Sequence, residues 1–129
     1  MDAEVLRTRL RQDGHTTLRM RGNSMFPLLP SGSKAHLRPV AAGESLRGAI
    51  VAVELGKQVV VHRVMKSTSG ALVTQGIASP TQDAPIPSEA VVGVVCEGVG
   101  WNLSEPALRH SASALMIAMR GLRALSRRR

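Results

Sequence analysis

The chain has 129 residues, 43% of them apolar, and only one phenylalanine, one tryptophan and no tyrosine. This composition predicts one domain with an aliphatic core, and it argues against a disordered chain and against a base-stacking platform for single-stranded nucleic acid. The net charge is +8, and most of it lies at the C-terminal end, where six arginines and no acid follow residue 108. Residues 1–108 carry 11 basic and 9 acidic residues, a net charge of only +2. The basic charge belongs to the C-terminal tail, so no nucleic-acid partner is expected for the domain.

The start of the chain and its cysteine content bear on where the protein works. Residues 1–14 are charged throughout and lack the apolar stretch of a secretory signal. No run of the sequence approaches the roughly 18 apolar residues that a membrane span needs. Cys96 is the only cysteine, which rules out an intrachain disulfide, and its apolar neighbours predict a structural thiol. We therefore expect a cytoplasmic protein.

The first predicted element is a short N-terminal helix over residues 2–12. Val5, Leu6 and Leu10 are expected on its buried side. Gly14 follows directly and is predicted to end the helix, because glycine readily adopts the left-handed conformation of a helix C-terminus.

The segments that follow have the pattern of an antiparallel sheet. Short runs rich in Val, Ile and Leu alternate with turns of Gly and Ser, and a loop with two prolines separates the first two runs. Strands at such close intervals predict a mostly β domain, small, twisted and antiparallel. The predicted strands cover residues 16–21, 34–38, 48–54, 58–65, 72–75 and 91–96.

A second helix is predicted to begin at Pro106, because proline suits the first turn of a helix. The chain then divides into a β domain with its short N-terminal helix, residues 1–105, and a basic C-terminal helix and tail, residues 106–129. Two interpretations of this helix stay open. It packs on its own domain or a partner, or it lies on anionic lipid as a peripheral membrane contact, with residues 127–129 attracted to the head groups. Its apolar stripe consists of Leu108, Leu115 and Leu122.

Three segments of the β domain carry the candidate chemistry. Ser24 lies in the loop Gly-Asn-Ser-Met-Phe-Pro, His62 in the strand Val-Val-Val-His-Arg-Val, and Asp83 in a loop whose acid is the only one between Glu54 and Glu89. Taken singly, a serine in a Gly/Pro loop is usually a turn former, and a histidine on a strand is usually structural. Together they offer a nucleophile, a base that accepts its proton and a carboxylate that orients the base.

The order of these segments resembles the signal peptidase I superfamily. The sequence has Gly-x-Ser-Met-x-Pro at 22–27, Val-Val-His-Arg-Val at 60–64, Gly-x-Ala-x-x-x-x-Asp at 76–83 and Val-Val-Gly-Val-Val at 91–95. Any one of these motifs is weak, whereas four in order over about residues 16–97 are fairly specific. In particular, the chain looks like the branch that uses histidine where the bacterial housekeeping enzymes and the self-cleaving repressors use lysine.

The resemblance implies a serine endopeptidase on a twisted, mostly antiparallel β fold. Position by position, Ser24 matches the nucleophile, His62 the general base and Asp83 the acid that orients it. Gly22 stands where some members carry a hydroxyl side chain. The oxyanion is therefore expected to be stabilised by backbone, with the N–H of Ser24 as the natural donor.

The resemblance also implies how a substrate is held. Asn23, Met25 and Pro27 would form the oxyanion and substrate loop. The substrate would be an extended peptide with small residues before the cut, such as a leader peptide or a dedicated partner protein. No cofactor is expected, and no metal either, because the four histidines lie in separate segments without ligand spacing.

The chain departs from the family at three places where relatives have Gly-Asp. Here the residues after glycine are Ser33, Ala49 and Ile77. The lost acids favour an alternative function, a catalytically inactive module that binds a peptide or partner on the same fold. A third alternative, binding to a membrane surface or to nucleic acid, depends on the arginine-rich tail.

Overall fold

The computed structural model describes residues 2–98 and the backbone of residues 101–102. In these ranges the chain forms one α-helix, one short 3-10 turn and a single curled sheet in which every pairing is antiparallel. The strands lie in the order β1-β2-β7-β3-β4-β5-β6, and β8 pairs with β7. The elements are α1 (Ala3–Asp13), β1 (Thr16–Arg19), β2 (Lys34–Arg38), β3 (Ile50–Leu55), β4 (Gln58–Thr68), β5 (Ala71–Gln75), β6 (Ile86–Pro87), the 3-10 turn (Ser88–Ala90), β7 (Val91–Gly98) and β8 (Trp101–Asn102).

The predicted mostly β, antiparallel class is confirmed, and each of the six predicted strands is present. The boundaries differ by up to three residues; β3 begins at Ile50 and not at residue 48, because Gly48 has a positive φ of 80° and still belongs to the preceding turn. The sequence pattern missed β6 and β8. Each has only two residues, too few for an alternation of apolar and polar side chains to be visible.

Helix α1 ends at the glycine that the sequence predicts, but it begins one residue later than predicted and its buried face is different. The Asp2 side chain accepts a hydrogen bond from the N–H of Glu4, and Gly14 ends the helix with a φ of 76°. Ala3, Leu6 and Leu10 are buried. Val5 is 39% exposed, so its predicted place on the buried side is wrong. At about 100° per residue, positions 3, 6 and 10 share a stripe from which position 5 is rotated away.

The core lies on both faces of the sheet. One apolar cluster joins Leu6 and Leu10 of α1 to Met25, Leu37 and neighbouring strand residues, and a second cluster lies on the opposite face. Strand β3 contributes to both, since residues 50–53 are all buried. A strand covered on both faces needs apolar side chains at every position, which explains its unbroken Ile-Val-Ala-Val run.

Strand β4 is the element that positions the candidate site. Its residues 58–63 pair with β3, and its residues 63–68 pair with β5. His62 is therefore the last residue of β4 before β5 joins the sheet. Among the described residues, the part of β4 before His62 has a strand partner on one side only.

The described residues allow the prediction about membrane spans to be compared with the structure, but not the prediction of a C-terminal helix. No helix within residues 2–98 is long and apolar enough to cross a membrane. The helix predicted from Pro106, and with it the whole of residues 106–129, lies outside the described residues.

We expect the α1 contact with the sheet to contribute strongly to stability. Leu6 is fully buried and its neighbour Val5 is 39% exposed. Leu6→Ala should lower the free energy of unfolding by about 2–5 kcal/mol, because it leaves a cavity beneath the helix. Val5→Ala, the matched control, should cost less than about 1 kcal/mol. Urea denaturation of the two variants measures the difference, and equal losses would contradict the assigned helix face.

Candidate functional site

The loop that carries Ser24 is fastened to the loop that carries Asp83. The backbone carbonyl of Ser24 accepts a hydrogen bond from the N–H of Ala78, at 2.8 Å. The side chain of Met25 is fully buried, and its sulfur accepts from the N–H of Ile77, at 3.5 Å. These contacts hold the Ser24 loop against the loop that carries Asp83.

Ser24, His62 and Asp83 form one hydrogen-bonded chain. The Oγ atom of Ser24 lies 3.2 Å from Nε2 of His62, and Nδ1 of His62 lies 2.6 Å from Oδ2 of Asp83. An ionised carboxylate only accepts hydrogen bonds, so the imidazole proton belongs on Nδ1. Nε2 is then the acceptor for the Ser24 hydroxyl proton. All three residues that the sequence assigns to catalysis therefore lie together.

Asp83 has a second partner, which the sequence analysis did not find. The hydroxyl of Thr74 donates to Oδ2 of Asp83 at 2.8 Å, the same oxygen that accepts from His62. The N–H of Asp83 donates to the carbonyl of Thr74, also at 2.8 Å. Thr74 is fully buried on β5, so its side chain has little freedom to leave the carboxylate. A threonine in an apolar strand suits β structure in general, and the sequence offers no other signal for this role.

Gly76 is a further residue that the site requires. A Cβ atom at this position would lie 2.7 Å from the backbone oxygen of Ser24, 3.0 Å from its Cβ and 3.1 Å from Nε2 of His62. The φ of Gly76 is not positive. Its value here is the space that it leaves, which lets the Ser24 loop approach His62 to hydrogen-bond distance.

The site opens onto a groove. His62 is only 8% exposed, whereas Ser24 is half-buried and lines a cavity of about 790 Å³. Its other walls come mainly from two segments, residues 18–21, which cover the end of β1 and the two residues after it, and residues 58–61 at the start of β4. β1 pairs only with β2, and the first half of β4 only with β3, so both segments have an edge without a strand partner in the described chain.

Asn23, Met25 and Pro27, the predicted oxyanion and substrate loop, lie outside the groove and contribute to the structure of the loop. Asn23 is exposed, and its carbonyl accepts from the N–H of Phe26 at 3.0 Å. The peptide bond between Phe26 and Pro27 is cis. Asn23, Met25 and Pro27 are not among the residues that line the groove, which Ser24 alone of this loop reaches. Met25 instead anchors the loop in the core.

The three positions at which the chain departs from the motif resemblance have ordinary structural roles here. The hydroxyl of Ser33 donates to the carbonyl of Pro30 at 2.6 Å and closes a turn. Ala49 and Ile77 are 2% and 4% exposed and belong to the core. Asp83 is held by contacts with Thr74.

Cys96 lies apart from the three residues. It is half-buried on β7, and its thiol donates to the carbonyl of His36 at 3.4 Å. Burial is the main cause that raises the pKa of the Cys96 thiol. A raised pKa lowers the thiolate fraction, in agreement with the structural role predicted for this residue.

Comparison with known proteins identifies no relative of this chain among family models or curated proteins: no family model matches it, and no curated protein matches it significantly.

Gly76→Ala tests the spacing of the site. The added methyl group must displace the backbone of the Ser24 loop, so the contact between Ser24 and His62 should lengthen beyond hydrogen-bond distance. We expect labelling of Ser24 by a fluorophosphonate probe to fall at least about tenfold, because the hydroxyl loses its base. Mass spectrometry measures the labelling, and a thermal melt checks the fold. Wild-type labelling of a folded variant would show that the close approach is unnecessary.

Proposed function

We propose that this protein is a serine endopeptidase in which Ser24 is the nucleophile, His62 the general base and Asp83 the residue that orients the base. The observation that carries the proposal is the continuous hydrogen-bonded chain from Ser24 Oγ through the imidazole to Asp83. A serine hydroxyl is a weak nucleophile by itself, and a base at hydrogen-bond distance is what activates it.

The reaction follows from the positions of the protons. Ser24 Oγ attacks the carbonyl carbon of the scissile peptide bond while its proton passes to Nε2 of His62. The imidazolium then donates that proton to the nitrogen of the leaving amine, which departs and leaves an acyl group on Ser24. A water molecule, deprotonated by His62, attacks the acyl carbon and releases the second product. Asp83 remains ionised and stabilises the imidazolium at each stage.

A backbone donor supports the oxyanion of this mechanism. Within the described residues, no acceptor is bonded to the N–H of Ser24. That N–H is available to the oxygen of a tetrahedral intermediate, where one such donor is worth about 3–4 kcal/mol. No hydroxyl side chain is available at the preceding turn, since Gly22 stands there.

The groove supports an extended peptide as the substrate. The edges of β1 and of the first half of β4 both line it, and each carries backbone groups without a strand partner in the described chain. A peptide in the groove would pair with these edges as an added strand, which brings its backbone to Ser24 whatever its side chains are. Leader peptides and dedicated partner proteins with small residues before the cut are the substrates that the motif resemblance favours.

The same proposal includes the family and the place of action. The motifs, together with the antiparallel sheet, favour a signal peptidase-like enzyme of the histidine branch. We place its action in the cytoplasm, and its basic C-terminal segment either packs on the domain or a partner or makes a peripheral membrane contact. The alternative is an inactive peptide-binding module. The intact Ser24–His62–Asp83 chain argues against it, whereas the missing family acids argue for it.

Ser24→Ala is the direct test of the proposed activity. A mixed peptide library is digested by wild type, by Ser24→Ala and by Ser69→Ala, a control serine in the exposed turn between β4 and β5. Mass spectrometry should find cuts by wild type and by the Ser69 variant, reduced at least about a thousandfold in Ser24→Ala. If wild type and Ser24→Ala give the same peptides, the protein is a binding module.

Thr74→Val tests whether Thr74 positions Asp83. Valine keeps the buried shape but removes the donor to Oδ2, so kcat should fall about tenfold to a hundredfold. KM should change little, because Thr74 does not line the groove. Thr74→Ser, which restores the hydroxyl, should recover kcat to within about threefold. Equal losses in both variants would indicate a packing role instead.

A further inference from the structure

The two walls of the groove carry basic side chains at their rims. Side chains of the β1 segment alternate between buried and exposed, with Leu18 and Met20 in the core and Arg19 and Arg21 outside. On the opposite wall, Lys57 is exposed in the turn before β4. All three basic residues line the groove. A peptide strand lying between the walls would therefore have cations on both sides.

The acidic residues of the groove are already engaged. Glu54 forms an ion pair with Arg7 of α1, with a distance of 2.8 Å between Nη1 and Oε2. The carboxylate of Asp2 accepts a hydrogen bond from the helix N–H of Glu4, at 2.9 Å. In the described part of the chain, Arg21 and Lys57 have no ion-pair partner. The hydrogen bond to Asp2 leaves its carboxylate charged, but Arg19, Arg21 and Lys57 in the lining outnumber it, so the net charge that a bound peptide meets is positive.

The positions of these cations relative to Ser24 set where a peptide would meet them. Arg21 precedes Ser24 by three residues, so their Cα atoms are at most about 11 Å apart. Lys57 lies in the turn directly before β4, and the first residue of β4, Gln58, lies four residues before His62, which corresponds to about 13 Å at the rise of an extended strand. A peptide strand of the same rise spans that distance with about four residues, an even spacing that puts the side chains at its two ends on the same face.

We propose that the groove selects extended peptides with acidic side chains, one close to the scissile bond beside Arg21 and one about four residues from it beside Lys57. This inference rests on the proposed function for the position of the cut, and it names the substrate class of that same site. An Asp or Glu on the outward side of the added strand meets a cation without losing its own hydration, so each such contact is modest and sensitive to salt. The effect of one charge should be about twofold to fivefold in affinity.

The test uses Ser24→Ala protein, which holds peptides without cutting them, and synthetic peptides in matched sets. Members of a set differ only by Glu, Gln or Lys at the two outward positions. Captured peptides are quantified by mass spectrometry at about 0.05 M and 0.3 M salt, where screening differs strongly. We expect capture in the order Glu, Gln, Lys, with the preference reduced at the higher salt.

Two double variants in the Ser24→Ala background locate the preference. Arg21→Glu with Lys57→Glu reverses the charge of the groove, and it should abolish or invert the preference for Glu. Arg47→Glu with Lys66→Glu makes the same change of net charge at exposed residues outside the groove, and it should keep the preference.

The outcomes separate the two proposals. A preference for Glu that survives both double variants would place acidic binding elsewhere, as on the arginine-rich tail, and would overturn the inference. Equal capture of the three peptides, or no capture, would overturn it as well. Groove-dependent capture of Glu peptides that wild type does not cut would keep the inference and reject the peptidase.

Discussion

Strand β4 changes its pairing at His62, and the candidate site depends on this change. Residues 58–63 of β4 pair with β3 and residues 63–68 pair with β5, so that Arg63 is the one residue at which the two pairings overlap. Strand β5 leaves the sheet opposite Arg63 of β4. The chain that continues from β5 forms the loop that carries Asp83, and the edge of β4 that β5 does not cover forms one wall of the groove. The imidazole of His62 and the end of the groove thus meet at one point of the sheet.

The end of β5 organises the reactive groups by two different means. Thr74 supplies a buried hydroxyl and a backbone carbonyl that together hold Asp83. Gly76 has no side chain, which leaves room for Ser24 to approach His62. The first effect is a charge-assisted hydrogen bond, which is stronger than a neutral one because the acceptor is ionised. The second is steric, and it acts on the backbone of the Ser24 loop. Neither residue needs to touch a substrate for the geometry of the site to depend on it.

Much of the fold could be predicted from the sequence because its signals are local. Gly14 ends α1 through its own backbone preference, and residues 34–38 form β2 through their own alternation. The site residues Ser24, His62 and Asp83 were predicted from short motifs, because the residue types and the order of such motifs can be read directly from the sequence. The predicted burial of Val5 failed because apolar character alone does not say which stripe of a helix meets the sheet. That choice is made by the packing of the helix on β7 and β1.

What the sequence by itself determined is helix α1, the six longer strands, the antiparallel class and the three residues of the hydrogen-bonded chain. These depend on backbone preferences, on apolar periodicity and on residue types, all of which act over a few neighbouring positions. Only the tertiary structure decided that Thr74 holds Asp83, that Gly76 admits Ser24 and that Arg21 and Lys57 face the same groove. The first of these contacts closes a loop of nine residues. The other two relations join segments that are distant in the chain, and they exist because the pairing of the strands brings those segments to one groove.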